Sequence, residues 1–471
     1  MSINLQTLKI EGIDYMQVMQ VEINHVVNEP ARANLRLIVD DDTAKTFFEQ
    51  ADTDQIKISA NDNENDKEVV LFVGFIVNLS LDNSHGRNKL TLTLRDSSYL
   101  LSLKRMHCSF QKLDAKYEEI LKTEVEDSKG KIQLTVTDKA IEKIIVQLNE
   151  TPWEFIRRMA SQFSASIFTD LTAATPLLTI GLPDAKNSVE LIDGKTSFAF
   201  DTEQFNFLTA NPDLLAEDVK IVAEDFSYVN ISGNFPYLSL GDEVKWNDKE
   251  YRVKRLSAQF VDSILQTNYT LVGKTAFFVT KIAQKNIRGR IFRAQVKKVE
   301  KDKIQAHLID VDEKYDDSST TWFPFATPYS SADGSGWYVM PEVDDYVRII
   351  FPSEDTSDAF ASSSINSAPL KEPHNKSFKA PGGRELLLTD EGVEIIAEHQ
   401  KTFIKLDKSK GISVVSSKDI EIHADGNISF EANGKIQMVA QKKIEAQSGQ
   451  SHIKILSNQI DMGGNNIIVG E

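Results

Sequence analysis

One cysteine, Cys108, in 471 residues leaves no disulfide framework within the chain and fits folding in a reducing compartment. No apolar run approaches the ~20 residues that a membrane-spanning helix needs. Basic charge is short as well: 53 Lys and Arg stand against 70 Asp and Glu, a net charge of −17. That balance argues against nucleic-acid binding as the main activity, because phosphate contacts need a basic face. Catalytic signatures are missing. The chain has no CxxC, HExxH or P-loop and no nucleophile elbow. Its many carboxylates sit in no motif, so they read as solvated surface rather than as a glycosidase pair. The opening stretch, Met1 to Gly12, lacks a basic region followed by an apolar one, so no signal peptide is expected.

What the chain has in quantity is period. Ile412, Ile420, Ile428, Ile436 and Ile444 recur at every eighth residue. Two positions on come Val414, Ile422, Phe430, Met438 and Ala446, and two further on Ser416, Ala424, Ala432, Ala440 and Ser448. A turn-prone or polar pair, such as Gly426-Asn427 or Gly434-Lys435, precedes each isoleucine. Alternation within the octad marks a short strand, and the pair between octads marks a corner. Each octad turns only two or three side chains inward, too few to bury a core alone. Several chains winding round a shared axis would answer this and leave no open strand edge. A single-chain β-solenoid and an antiparallel meander are the other arrangements of the same pattern. The narrow cross-section favours an intertwined trimeric β-helix with Ile412, Val414, Ile420, Ile422, Ile428, Phe430, Ile436, Met438, Ile444 and Ile460 in its core. After Ile444 the pattern slips, because Ile453 arrives one residue late. A strict register would turn His452 inward, where threefold symmetry could gather a metal site; the slip turns it outward.

Upstream the chain is mainly β. Residues 1–284 read as a two-lobed β-barrel hub with a helical insertion. Alternating or apolar runs at 33–39, 55–59, 69–77 and 89–94 make its first lobe, and strands ending with 251–256 and 268–273 make its second. Helices are expected near 114–126 and 151–164. Asp114 is a candidate N-cap for the first. Thr151-Pro152-Trp153-Glu154 gives the second a capping box with proline at its first position, ahead of a buried stripe of Trp153, Ile156, Met159, Ala160 and Phe163. Residues 285–366 carry five short strands, at 287–291, 295–299, 304–308, 346–350 and 359–363, which suits an OB-fold barrel. Trp322, Tyr329, Trp337 and Tyr338 are the aromatics that such a barrel would use for base stacking, but Asp310, Asp312, Glu342, Asp344 and Asp345 crowd them. A linker at 367–383, with Pro369, Pro373 and Pro381, leads to a spike at 384–471.

This order of parts resembles the VgrG and contractile-tail spike family of type VI secretion systems, phages and extracellular injection particles. Val146 to Ala160 is similar to the family's hub helix. Gly336 to Val347 is similar to its barrel segment, with Asp344 where glycine is usual, and Ser377 to Leu386 to its entry into the needle. The resemblance spans the whole chain. It implies a homotrimeric central spike that caps an inner tube, organises a baseplate and punctures a target envelope mechanically. Some members of that family carry a catalytic domain; here the missing motifs and the acidic charge, rather than the resemblance, lead us to expect no enzymatic activity, no cofactor and no nucleic acid. The partners implied are the inner-tube ring protein, baseplate proteins, the target envelope transiently, and a PAAR-type tip protein with its effectors, which would dock at Gly463, Gly464, Asn465, Asn466, Ile467 and Ile468. Assembly in the cytoplasm followed by delivery outside the cell goes with it. No domain is expected between barrel and needle or after Glu471, which sets aside the alternative of a trimeric tail fibre or tailspike with receptor-binding or glycan-degrading activity. The residues do not distinguish a secretion system, a phage and a released particle, and they name no target or effector.

Overall fold

The computed structural model describes residues 3–46, 48–49, 55–62, 67–192, 194–364 and 372–468. Part of the expected linker, including Pro369, lies outside them, as do the last three residues of the expected tip. The chain divides into two compact units, Met1–Ser367 and Ala368–Glu471.

The first unit is built on a closed barrel. Strands β1 (Ile3–Glu11), β2 (Gln17–Val26), β3 (Arg32–Val39), β4 (Ile56–Asp62), β5 (Lys67–Ser84) and β6 (Arg87–Asp96) pair in the order β2-β3-β6-β5-β4-β1. A hairpin from far along the chain, Lys249–Val261 with Ile264–Val272, closes the ring: its first strand pairs with β2 and its second with β1. Period-2 alternation drives this closure. In β6, Asn88, Leu90, Leu92, Leu94 and Asp96 are buried while the residues between them are not. The strands assigned to two lobes are thus joined in one twelve-stranded sheet. Ser188–Glu190 and Glu243–Trp246 branch from one strand of the closing hairpin, and Lys195–Phe200 and Ser227–Gly233 from the other. All but Lys195–Phe200 contribute to one core, running from Ile3 to Phe277.

Four α-helices decorate the hub among the described residues: α1 (Asp41–Lys45), α2 (Tyr117–Glu126), α3 (Pro152–Ser161) and α4 (Thr202–Ala210). In α3 the expected capping box is in place: Thr151 Oγ1 accepts from the Glu154 amide at 3.2 Å, and Glu154 Oε2 accepts from the Thr151 amide at 2.9 Å. Trp153, Ile156, Met159 and Ala160 are buried as the stripe requires, whereas the helix ends at Ser161 and Phe163, beyond it, is only half-buried. Asp114 does not cap α2. Residues 113–115 are held by hydrogen bonds from the amides of Ile141 and Glu142, both 3.0 Å, so the helix begins only at Tyr117, after Lys116. Helices α1 and α4 were not expected.

The OB barrel has five strands in the order Phe323–Pro324, Lys303–Leu308, Arg290–Glu300, Tyr346–Phe351, Phe360–Ser364, and a parallel bridge between Phe325 and Ala361 closes it. Two of the expected strands, 287–291 and 295–299, are in fact one. Arg290–Glu300 runs continuously and bends at a bulge between Val296 and Lys298. Bulges bend a strand without ending it, and so can read as a break in the sequence pattern. The fifth strand is the short Phe323–Pro324, which the sequence reading left out.

Hub insertion and barrel are joined by the strand Ile145–Glu150. Val146 and Leu148, with neighbouring Ile144, enter the OB core, while Ile145 enters the core of the insertion. Thr356 Oγ1 donates to the Ile144 carbonyl at 2.5 Å, and Gln284 and Asn286 donate to the carbonyls of Val146 and Leu148 at 2.6 and 2.9 Å. Across the same joint Ser109 donates to both oxygens of Asp312, at 2.5 and 2.6 Å.

The second unit contains two antiparallel meanders. Five strands, Lys376–Lys379, Glu385–Thr389, Gly392–Glu398, Thr402–Asp407 and Gly411–Val415, pair in sequence order, and so do Lys443–Ser448, Ser451–Leu456 and Ile460–Gly463. The sheet therefore starts inside the expected linker: Phe378 already pairs with Leu386. Between the meanders, residues 416–442 form no ladder within the chain.

Candidate functional site

The feature of the second unit that asks for a partner is one face of its sheets. In the five-stranded meander Phe378 lies opposite Leu386, Leu386 opposite Ile395, Ile395 opposite Ile404, and Ile404 opposite Val414. Leu388, Leu406 and Ile412 stand beside them on the same face, and all of these side chains are exposed. The other face carries Glu385, Glu394, Lys405 and Asp407, with Lys405 Nζ 2.7 Å from Glu394, around the buried Ile396. A contiguous apolar face of this extent is uncommon on a lone soluble chain.

The three-stranded meander repeats the scheme. Ile444 pairs with Ile455, Ile455 with Ile460, Ala446 with Ile453 and Ile453 with Met462, so one face is apolar as far as the Ser448–Ser451 pair beside the turn. The opposite face holds Glu445 against Lys443 and Lys454, the latter at 3.1 Å, and His452 Nε2 3.3 Å from Asp461. His452 is on the charged face, and the late arrival of Ile453 has a simple origin: the chain reverses at Gly449-Gln450, so the pattern runs backwards from there.

Between the sheets the octad is visible as geometry. The chain bends at Ser417-Lys418, Asp425-Gly426, Asn433-Gly434 and Gln441-Lys442, each eight residues after the last and one residue ahead of the pairs read as corners. Ile420, Ile422, Ile428, Phe430, Ile436 and Met438 are all exposed here, Phe430 at 67%. The ten needle-core residues thus fall into three settings: Ile412 and Val414 on the apolar face of the first meander, six on the extended run, and Ile444 and Ile460 on the apolar face of the second. Near the end, Gly463 pairs with His452, and Gly463, Asn466, Ile467 and Ile468 line an open cleft of about 430 Å³ together with Ile453 and Met462.

Buried titratable groups lie elsewhere and are tied into the hub. His25 Nε2 is 2.9 Å from Thr169 Oγ1, which donates to Asp96 at 3.0 Å; Asp96 also accepts from the Ala31 amide at 2.9 Å. Burial drives the His25 pKa down to about 3, against the pull of Asp170, and raises that of Asp96 in spite of its donors. In the insertion, burial raises Glu124 to about 7, partly opposed by its hydrogen bond from Gln147. Arg158, itself buried, forks onto Glu150 at 2.9 and 2.7 Å and donates to the Val146 carbonyl at 2.8 Å. These contacts fasten elements to each other. None is a nucleophile beside an accessible base.

Residues 292–365 match the family described as the type VI secretion system/phage-baseplate injector OB domain, and residues 2–204 match the Alg8 N-terminal domain. No curated protein matches the sequence. Among solved structures, the chain is similar to an E. coli protein that is a component of the type VI secretion system and exhibits structural similarity to the bacteriophage tail proteins gp27 and gp5. The TM-score is 0.53 at 12% identity, covering 75% of this chain and 98% of that one. It is also similar to a Francisella PdpA–VgrG complex, with a TM-score of 0.55 at 10% identity, covering 88% of this chain and 87% of that one. The fold is therefore the hub-and-barrel fold of contractile-tail proteins. More particularly, it is the one shared by type VI secretion VgrG-like proteins, the resemblance that the sequence motifs carry.

Proposed function

We propose that this chain is the homotrimeric central spike of a contractile injection system. Hub and OB barrel would cap the inner tube and organise the baseplate, and residues 384–471 would form the needle that punctures the target envelope. The observation that carries this reading is the unbroken apolar face of the second unit, continued by the outward-lying Ile420 to Met438. None of these side chains belongs to a buried core cluster, so this face would need other chains to cover it. Copies of the same chain supply a matching face at the same height, and a shared axis satisfies the unpaired backbone of 416–442 at the same time. The fold similarity supports a baseplate-spike role on independent grounds. Mechanism is then mechanical rather than catalytic: a stiff, edge-free trimer delivers the work of contraction to a small area. The cleft at Gly463 to Ile468 would seat a PAAR-type tip protein with its effectors. The Francisella VgrG, solved in complex with PdpA, is a relative in fold that holds another protein.

The test is molar mass by light scattering, for the full chain and for a chain ending at residue 364. A full-length particle of three times 52.9 kDa that falls to monomer on truncation supports the shared-axis needle. A full-length monomer overturns it.

A further inference from the structure

A hairpin on the OB barrel forms a pocket that the spike reading leaves without a role. Residues 329–337 fold back on themselves: the Trp337 amide donates to the Tyr329 carbonyl at 2.9 Å, and Ser330 bridges to Gly336. Gly336 makes this possible, since at its φ of +149° a Cβ would lie 2.4 Å from the Tyr329 carbonyl oxygen. Thr327 Oγ1 fixes the Trp337 carbonyl at 2.7 Å, and Tyr338 OH donates to the Lys301 carbonyl at 2.8 Å. The hairpin is thus pinned to the turn joining the first two barrel strands. Between them is a cavity of about 410 Å³, bounded by Tyr329, Trp337, Tyr338 and Asp302. Such a volume is in the ~300–1,000 Å³ range of small-ligand clefts.

Its chemistry is specific. Trp337 and Tyr338 are 60% and 73% exposed. The Asp302 carboxylate, the Ser330 hydroxyl and the Trp337 indole N–H have no hydrogen-bond partner among the described residues. Flat aromatic surfaces beside a few free donors and acceptors complement a molecule with one apolar C–H face and hydroxyls at its edge. The loop joining the first two strands, which supplies Asp302, is one of the places where OB barrels bind oligosaccharides and oligonucleotides. Asp302 lines the pocket, Asp333 precedes its Gly334 in the chain, and the chain is strongly acidic, which disfavours a polyanion. We infer that the hairpin Tyr329–Trp337, with Asp302 and Tyr338, is a binding site for a neutral oligosaccharide. The site rests on the barrel alone and does not depend on the needle or on trimer formation.

The probes are cellohexaose, chitohexaose and maltohexaose, each titrated against the full-length protein and followed by saturation-transfer NMR and calorimetry. At least one should bind. Trp337→Ala should weaken it by at least about tenfold, the loss expected when an aromatic anchor is truncated. Asp302→Asn should weaken it without changing the circular dichroism. No binding of any of the three at millimolar concentration overturns the inference, as does unchanged binding by Trp337→Ala. A fall in molar mass on Trp337→Ala also overturns it, by showing the aromatics to be a contact between chains.

Discussion

Ile428 is the sharpest place to test the shared axis. It lies mid-way along the octad run, with its side chain about half exposed in the single chain and Ser429 and Asn427 on either side. Full burial of one isoleucine contributes about 1.5–3 kcal/mol. If a trimer buries the exposed half of this side chain in each of three copies, Ile428→Ser removes about half of that contribution three times, about 2–4.5 kcal/mol per assembled trimer. Since about 1.4 kcal/mol is a factor of ten, the trimerisation constant should fall by roughly two to three orders of magnitude. At the dilutions used for light scattering, that separates a trimer from a mixture containing monomer. The matched control is Asn433→Ser, at a position that alternation places on the outside, which should leave the molar mass unchanged. The reasoning is refuted if Ile428→Ser and Asn433→Ser behave alike, since an apolar row that contributes nothing to association is not a core.

Two further outcomes concern the hub. His25 is held to about 3 in the folded chain against 6.5 when unfolded, so acidification protonates only the unfolded state and stability falls below pH 6.5. Glu124, raised to about 7 from 4.5, does the reverse: it takes up its proton in the folded state, and stability from this group rises as pH falls from 7 to 4.5. The two nearly cancel between pH 6.5 and 5. Glu124→Gln should therefore make the protein about 2 kcal/mol more sensitive to that acidification, and His25→Gln should turn the dependence the other way, both read from urea midpoints across pH. At the joint, Arg158→Met leaves Glu150 without its partner and the Val146 carbonyl with Gln284 alone, a loss of about 3–5 kcal/mol for a broken buried pair. Limited proteolysis should then cut near 284–290 faster than in the parent, and an unchanged rate would show that Arg158 does not hold the joint.

The parts of this architecture that were readable in sequence are the ones set by local rules. Thr151-Pro152-Trp153-Glu154 specifies α3 because cap, proline and stripe lie within a dozen residues of one another. The octad is readable because period 2 fixes which side chains share a face, and Ile412, Val414, Ile444 and Ile460 do lie on the apolar faces. What escaped depends on distant pairing. Nothing local says that Leu256 will lie opposite His25, yet that pairing closes the barrel. The reversal at Gly449-Gln450 looks like a slipped repeat until the partner strand is seen. Helix α4 was missed for a different reason: most of its residues are exposed, so no apolar stripe announces it. The joint strand Ile145–Glu150 falls largely inside the stretch Val146 to Ala160 that resembles the hub helix, and nothing local says that Val146 and Leu148 pack into the barrel while Ile145 packs into the insertion.

That strand has a consequence for load. Val146 and Leu148 are embedded in the barrel while the next residues, Glu150 and Thr151, are locked to Arg158 and to the start of α3. The strand is thus shared by both bodies, Ile145 in one core and Val146 and Leu148 in the other, with no linker between them. A thrust arriving at the hub meets the barrel as compression of a continuous solid rather than as rotation about a hinge. To buckle there, the molecule would have to open two hydrophobic cores at once.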